Sequence, residues 1–202
     1  MNEWTAPSRE RNAAALYLLG PMRPRPYDGV VTRAYFALTA FVWAEIGTGD
    51  EHLDALLSGL AGCGEPRRVL DVGMGAGHSS AALAERWPGA EVTGVDLSGA
   101  MVRAARSLHQ ARNLSFRRSS TARLPFPDSF FDMATVLNAV PDLDELRRVL
   151  QPGGDAVVAS SFHDRPSPED GGVISARWLQ AGFDHVEGSE VPHGHWDRYR
   201  RR

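Results

Sequence analysis

The 202-residue chain contains no lysine: all 22 of its Lys+Arg positions are arginine. Schiff-base chemistry and a lysine general base are therefore excluded. There is a single cysteine, Cys63, so no internal disulfide can form; flanked by Gly62 and Gly64, it reads as a half-buried spare thiol. No apolar run approaches the ~18 residues of a membrane span. Met1 to Glu10 lacks the basic-then-apolar pattern of a secretory signal. A cytoplasmic protein is the expectation. The formal charge of −3 argues against a general nucleic-acid binder. The arginine tail (Arg198, Arg200, Arg201, Arg202) reads as a basic cluster on a fraying terminus.

With 43% apolar and 23% charged residues, the composition suits one compact globular domain. The first 26 residues carry Pro7, Pro21, Pro24 and Pro26 and little periodicity. Val31, Ala34, Tyr35, Leu38, Phe41, Val42 and Ile46 then recur at helical spacing. Thr48 and Glu51 have capping-box spacing for a further helix, whose apolar stripe is Leu53, Leu56, Leu57 and Leu60. Residues 1–65 are thus expected to form a helical N-terminal extension.

After Pro66 strands and helices alternate. Strands are expected at Arg68–Val72, Glu91–Asp96, Leu114–Arg118, Phe131–Leu137, Ala156–Ser160 and Phe183–Glu187, with a seventh from the final residues. Helices are expected over His78–Trp87, from Ser98 through Met101, Val102, Ala105 and Leu108, over Asp142–Leu150, and over Ser175–Ala181. The pattern predicts an α/β fold over residues 66–202: a Rossmann-like, doubly wound, mostly parallel seven-stranded sheet.

Asp71-Val72-Gly73-Met74-Gly75-Ala76-Gly77 follows a strand and opens a helix. Glycines there permit tight angles and close approach of a ligand to the main chain, and the helix behind aims free N–H groups at it. Asp96 ends the next strand, about 20 residues on, where a carboxylate accepts the hydroxyls of a ribose. The dinucleotide fingerprint wants Gly or Ala at the position of His78, and Asp71 would repel a pyrophosphate. A ligand with an amino group and a sulfonium suits this turn better. A nicotinamide oxidoreductase is accordingly disfavoured.

VLDVGMGAG (Val69–Gly77), VTGVDLSGAMV (Val92–Val102), LPFPDSFFD (Leu124–Asp132), VPD (Val140–Asp142) and RVLQPGG (Arg148–Gly154) stand in one order over about half the chain. Together they resemble the class I S-adenosylmethionine-dependent methyltransferases, in particular small-molecule enzymes related to the ubiquinone and menaquinone C-methyltransferases. The resemblance implies S-adenosylmethionine as cofactor and a small-molecule acceptor. It implies that Gly73, Gly75 and Gly77 line the methionine part, with Asp71 supporting its amino group. Asp96 would hold the ribose, Leu97 and Met101 would pack near the adenine, and Leu137 and Asn138 would flank the sulfonium and the acceptor. LPF and RVLQPGG look structural.

Two departures stand out. The acidic residue that usually precedes LPF and receives the adenine amino group is replaced by Ser120, followed by Thr121. The segment after Leu137 is short and lacks the paired histidines common there, so part of the acceptor wall is missing. The aromatic extension, with Tyr27 or Tyr35 turned to the sulfonium, is the material available to cover it. Methyl transfer needs a base only if the acceptor must lose a proton; His163 is the first candidate, with Asp164, His78 and His109 behind it. His193, His195 and Asp197 are too few and too near the terminus to make a metal site. The competing function is a non-catalytic cofactor-binding or scaffold protein of the same fold. An RNA methyltransferase would need a basic face, and the Asn-Pro-Pro-aromatic signature is absent. A homodimer is left open.

Overall fold

A computed structural model describes residues 50–161 and 176–202. After a 3-10 turn at Asp50–His52 come α1 (Asp54–Gly59), β1 (Arg68–Val72), α2 (His78–Arg86), β2 (Glu91–Asp96), α3 (Gly99–Leu108), β3 (Leu114–Arg118), β4 (Phe131–Leu137), α4 (Leu143–Val149) and β5 (Leu150–Ser161). A short helix at 176–180, α5, leads to the hairpin of β6 (Phe183–Val191) and β7 (Gly194–Arg201). The seven strands form one sheet in the order β3-β2-β1-β4-β5-β7-β6. β1 to β5 run parallel, while β7 is antiparallel to both β5 and β6. Strand order reverses between β1 and β4, which is where ligands settle in such sheets, outside the carboxyl ends.

The period-two alternation of strand side chains divides the core into two layers. On one face Val69, Val92, Met133, Leu137, Val157, Ala159 and Trp196 pack under α1 and α2. On the other, Leu70, Val72, Val95, Ala134, Val136, Ala156 and Tyr199 pack with Leu146, Val149 and Trp178. The contact between α1 and the sheet is close: a Cβ on Gly59 would press on Val157 and the Trp196 ring. Two N-caps follow the sequence pattern. Ser98 Oγ accepts from Met101 N, and Asp142 Oδ1 accepts from Glu145 N.

Several boundaries differ from the sequence expectation. The helix expected from Thr48 begins as a 3-10 turn and becomes α-helical only at Asp54, with no side-chain cap at Leu53. β5 starts at Leu150 rather than Ala156, because Leu150 pairs with Phe131 before an irregularity resets the register at Met133 and Asp155. Pro152-Gly153-Gly154, ahead of the expected strand, lie within that irregular strand. The arginine tail is not frayed. Arg198, Arg200 and Arg201 lie in β7, the seventh strand expected from the final residues, with Arg198 buried and paired to Glu187, and Arg200 forked onto Asp155. Cross-strand partners lying far away in sequence decide this order, and local composition does not contain them. Cys63 is half-buried, and its Sγ accepts from Arg198. Among the described residues no helix is long and apolar enough to cross a membrane.

Candidate active site

The glycine turn joins β1 to α2, and its backbone explains its composition. Gly73 and Gly75 both hold positive φ, 73° and 56°, where an L side chain is strained. Gly73 and Met74 both donate their N–H to Val95 O, tying the turn to the end of β2. Surroundings separate the three glycines that the sequence treats alike. A Cβ on Gly73 would collide with the Ala139 methyl, and one on Gly77 would strike Ala105 and Phe116. A Cβ on Gly75 would meet nothing within 4 Å. Gly77 also holds positive φ, 86°; Gly73 and Gly77 are hemmed in by packing besides, and of the three Gly75 borders open space.

Asp71 lies beneath this turn with no exposure. Ser79 and Ser80 each donate to its Oδ2 at 2.6 Å, and Thr135 donates to Oδ1 at 3.0 Å. Burial pushes its pKa up, against the opposing pull of the three hydroxyls. A carboxylate so enclosed clamps β1, α2 and β4 together from below. Any influence on a ligand amino group passes through the turn, since both oxygens are already engaged within the fold.

Asp96 stands across the turn at the carboxyl end of β2. Its Oδ2 accepts from Gly75 N at 3.0 Å and its Oδ1 from Ser98 N at 2.7 Å. Burial raises its pKa from 3.8 to about 6, with the neighbouring Asp71 adding to the shift and the two backbone donors opposing it. A desolvated carboxylate with few donors gains from further ones, and vicinal hydroxyls supply two. Two nearby acids disfavour a pyrophosphate.

The remaining predicted residues fall around this pair. Met101 is buried against Ala76 of the turn, and Leu97 is half-buried beside Asp96. Ser120 and Thr121 are half-buried in the loop after β3, where Ser120 Oγ accepts from Ala122 N at 3.3 Å. Leu137 is buried at the end of β4. Asn138 follows in the left-handed region, φ 54°, and its amide is committed: Nδ2 donates to Ser161 Oγ at 2.6 Å, and Oδ1 accepts from Ser161 N at 2.9 Å. The expected direct flank on the acceptor is thus a tie between the ends of β4 and β5. Val140, beyond it, is exposed. Tyr27, Tyr35, His163 and Asp164 lie outside the described residues.

His78 and His109 meet edge to face at 4.8 Å, and burial followed by His78 lowers the pKa of His109. His193 pairs with Asp54, and Asp197 with His185. Among the described residues no three His, Cys, Asp or Glu side chains gather as a metal site.

The sequence reading missed two features. His52 Nδ1 lies 3.3 Å from Ser161 Oγ, joining the 3-10 turn to the end of β5. Arg148, of RVLQPGG, fastens the LPF loop: it donates to the carbonyls of Leu124 and Phe126 and to Glu145 and Asp128. Glu145 in turn accepts from Leu124 N. That explains why LPF and RVLQPGG occur together, and only their co-occurrence hinted at it. No signal in sequence marked His52.

Comparison with known proteins agrees with this geometry. Residues 69–154 match the methyltransferase domain family. The demethylmenaquinone methyltransferase of Thermus thermophilus is 41% identical over 102 residues, 46% of this chain and 46% of that protein. The demethylmenaquinone methyltransferase of Deinococcus radiodurans is 37% identical over 130 residues, 60% of this chain and 52% of that one. The chain therefore spans about half the length of these curated relatives. A Burkholderia thailandensis 1,6-didemethyltoxoflavin-N1-methyltransferase, solved with 1,6-didemethyltoxoflavin and S-adenosylhomocysteine bound, shares the fold. Its TM-score is 0.65 at 21% identity, covering 85% of this chain and 87% of that one. The strand order and the glycine turn define a Rossmann-like α/β fold, which that enzyme shares. Over residues 69–154 the chain matches the methyltransferase domain, and over 46% to 60% of its length it is similar to demethylmenaquinone methyltransferases.

Proposed function

We propose that the protein transfers a methyl group from S-adenosylmethionine to a small-molecule acceptor in the cytoplasm. The observation that carries this reading is the Asp96 carboxylate facing the turn at Gly75, whose Cβ direction is open. The donor set fits the cofactor. Asp96 would accept the ribose hydroxyls, and the open side of Gly75 would take the methionine part. Leu97 and Met101 would border the adenine, and Ser120 or Thr121 would receive its amino group. Bound there, the cofactor supplies a methyl already activated on a sulfonium. The protein's task is then alignment and exclusion of water. Asp71 acts at one remove by holding the turn rigid.

The acceptor side is taken to lie beside the short segment after Leu137, where Val140 is exposed. On the sequence pattern, the aromatic stretch Tyr27–Ile46 of the extension is the cover, with Tyr27 or Tyr35 turned to the sulfonium. α1, the described end of that extension, is packed on β5 and β7. Calorimetric titration should show S-adenosylmethionine and S-adenosylhomocysteine binding and NAD not binding. An acceptor screen, starting with demethylmenaquinol because of the relatives' name, would be read by S-adenosylhomocysteine release. NAD binding more tightly than either adenosyl ligand would overturn the reading. Cofactor binding without turnover on any acceptor would favour the non-catalytic alternative.

A further inference from the structure

From Leu97 to Pro127 the chain carries six arginines and no aspartate or glutamate. All six are exposed, and among the described residues none of them forms an ion pair. Elsewhere Arg67, Arg68, Arg148, Arg198, Arg200 and Arg202 each meet a carboxylate. Arg123 stands apart, in the loop after β3 and close to Glu145. The other five lie on α3 (Arg103, Arg106), in the turn that follows it (Arg112) and on β3 (Arg117, Arg118). β3 is the outer strand of the sheet, and α3 packs against it. Neutral groups hold these cations in place. Arg106 Nη2 donates to Phe116 O at 2.7 Å, Arg118 Nε donates to Leu97 O at 3.2 Å, and Arg117 lies over the Phe126 ring at 5.5 Å. Arg103 and Arg118 converge over Gly99, where a Cβ would stand 3.5 Å from Arg103 Nη1 and 3.6 Å from Arg118 Cδ.

We propose that this edge of the sheet docks on an anionic lipid surface. Charges on an outer strand deter pairing with another strand, which accounts for Arg117 and Arg118. That role does not account for Arg103 and Arg112, which lie off the strand. A protein partner would call for an apolar centre to the patch, and a single-stranded nucleic acid for exposed aromatic faces. Phe116 is buried, and Phe126 is half-buried beneath Arg117. The strand period also turns Arg117 and Arg118 to opposite sides of one edge, so the charges form a ridge and line no groove for a duplex. A fluid layer of anionic headgroups needs charge alone and rearranges around such points. The acids behind the net charge of −3 all lie outside this stretch, and those more than a Debye length of ~8 Å from the lipid are screened. Arg118 is the register partner of Asp96, so the docked edge brings the carboxyl end of β2 to the rim of the contact. Docking of this kind does not depend on the methyltransferase reading.

The test is co-sedimentation of the full chain with vesicles. Vesicles of phosphatidylglycerol and phosphatidylcholine in equal parts should carry the wild type down at low salt and release it at high salt. Vesicles of phosphatidylcholine alone should leave it in solution. Arg112→Gln should weaken the partition by about fivefold, and Arg103→Gln with Arg112→Gln by about twentyfold. Arg147→Gln with Arg177→Gln changes the net charge equally at exposed sites on other helices and should stay within about twofold of wild type. Equal binding to both kinds of vesicle, or none to either, would overturn the proposal on the wild type alone, whatever the variants do. So would an equal loss in the two double variants when both melt like wild type. Tighter binding of polyuridylate than of the anionic vesicles would assign the ridge to nucleic acid and overturn the lipid surface.

Discussion

Replacing Asp96 by Asn should move stability and binding in opposite directions. Burial raises the Asp96 carboxyl from 3.8 to about 6, so holding it ionised in the folded chain opposes folding by roughly 3 kcal/mol. The sign follows from proton binding: between those two values the folded state holds more of the proton than the unfolded one. Its contribution to stability therefore declines as pH rises from about 4 to about 6 and is flat above. Asn removes that term. It keeps one carbonyl oxygen for Gly75 N or Ser98 N and turns an NH2 toward the other, a loss of about 1–3 kcal/mol. The folded variant should thus melt at or slightly above wild type at pH 7, and its advantage should shrink as pH falls toward 4. Binding should weaken by about 1.5–3 kcal/mol, since the hydroxyls lose a charged acceptor. Titration near pH 6 should also show a proton released on S-adenosylhomocysteine binding to wild type and none to the variant, because donors on the carboxylate lower its pKa. Thermal melts across pH, with calorimetry in buffers of different ionisation enthalpy, read all three effects. A sharply lower melting temperature at every pH with unchanged affinity would make Asp96 a structural residue and misplace the site.

Gly75→Ala and Gly73→Ala should part company. The first adds only the left-handed strain of roughly 1–2 kcal/mol and puts a methyl where a ligand would lie, so it should fold and lose binding. The second collides with Ala139 as well and should fail in a chemical melt; equal behaviour would erase the distinction. Asp71→Ala strands three hydroxyls, at about 1–3 kcal/mol each, and should unfold or nearly so; a melt close to wild type would refute the clamp. Ser120→Asp should tighten S-adenosylhomocysteine by about 0.5–1.5 kcal/mol through a charge-assisted bond to the adenine amino group, and weaker binding would place the adenine elsewhere.

Much of this protein is written locally. Alternating apolar strands, the D-x-G-x-G-x-G turn, the Ser98 cap and Asp96 at a strand end follow from period, backbone permissiveness and short-range hydrogen bonding, which one stretch of chain contains. The parallel sheet follows from those repeats, because strands joined through helices pair in parallel with a right-handed crossover. What separates glycines of one motif is not local: Gly73 is hemmed by Ala139 of another strand end, and Gly75 is not. The same holds for Asp71, which reads as a ligand-facing acid until Ser79, Ser80 and Thr135 enclose it. The arginine tail becomes a strand because β5 and β6 offer it partners, and His52 meets Ser161, 109 residues away. Side-chain type and spacing decided the fold and the kind of ligand. Which groups reach that ligand was decided by burial and by hydrogen bonds between distant segments, since these exist only once the sheet has assembled.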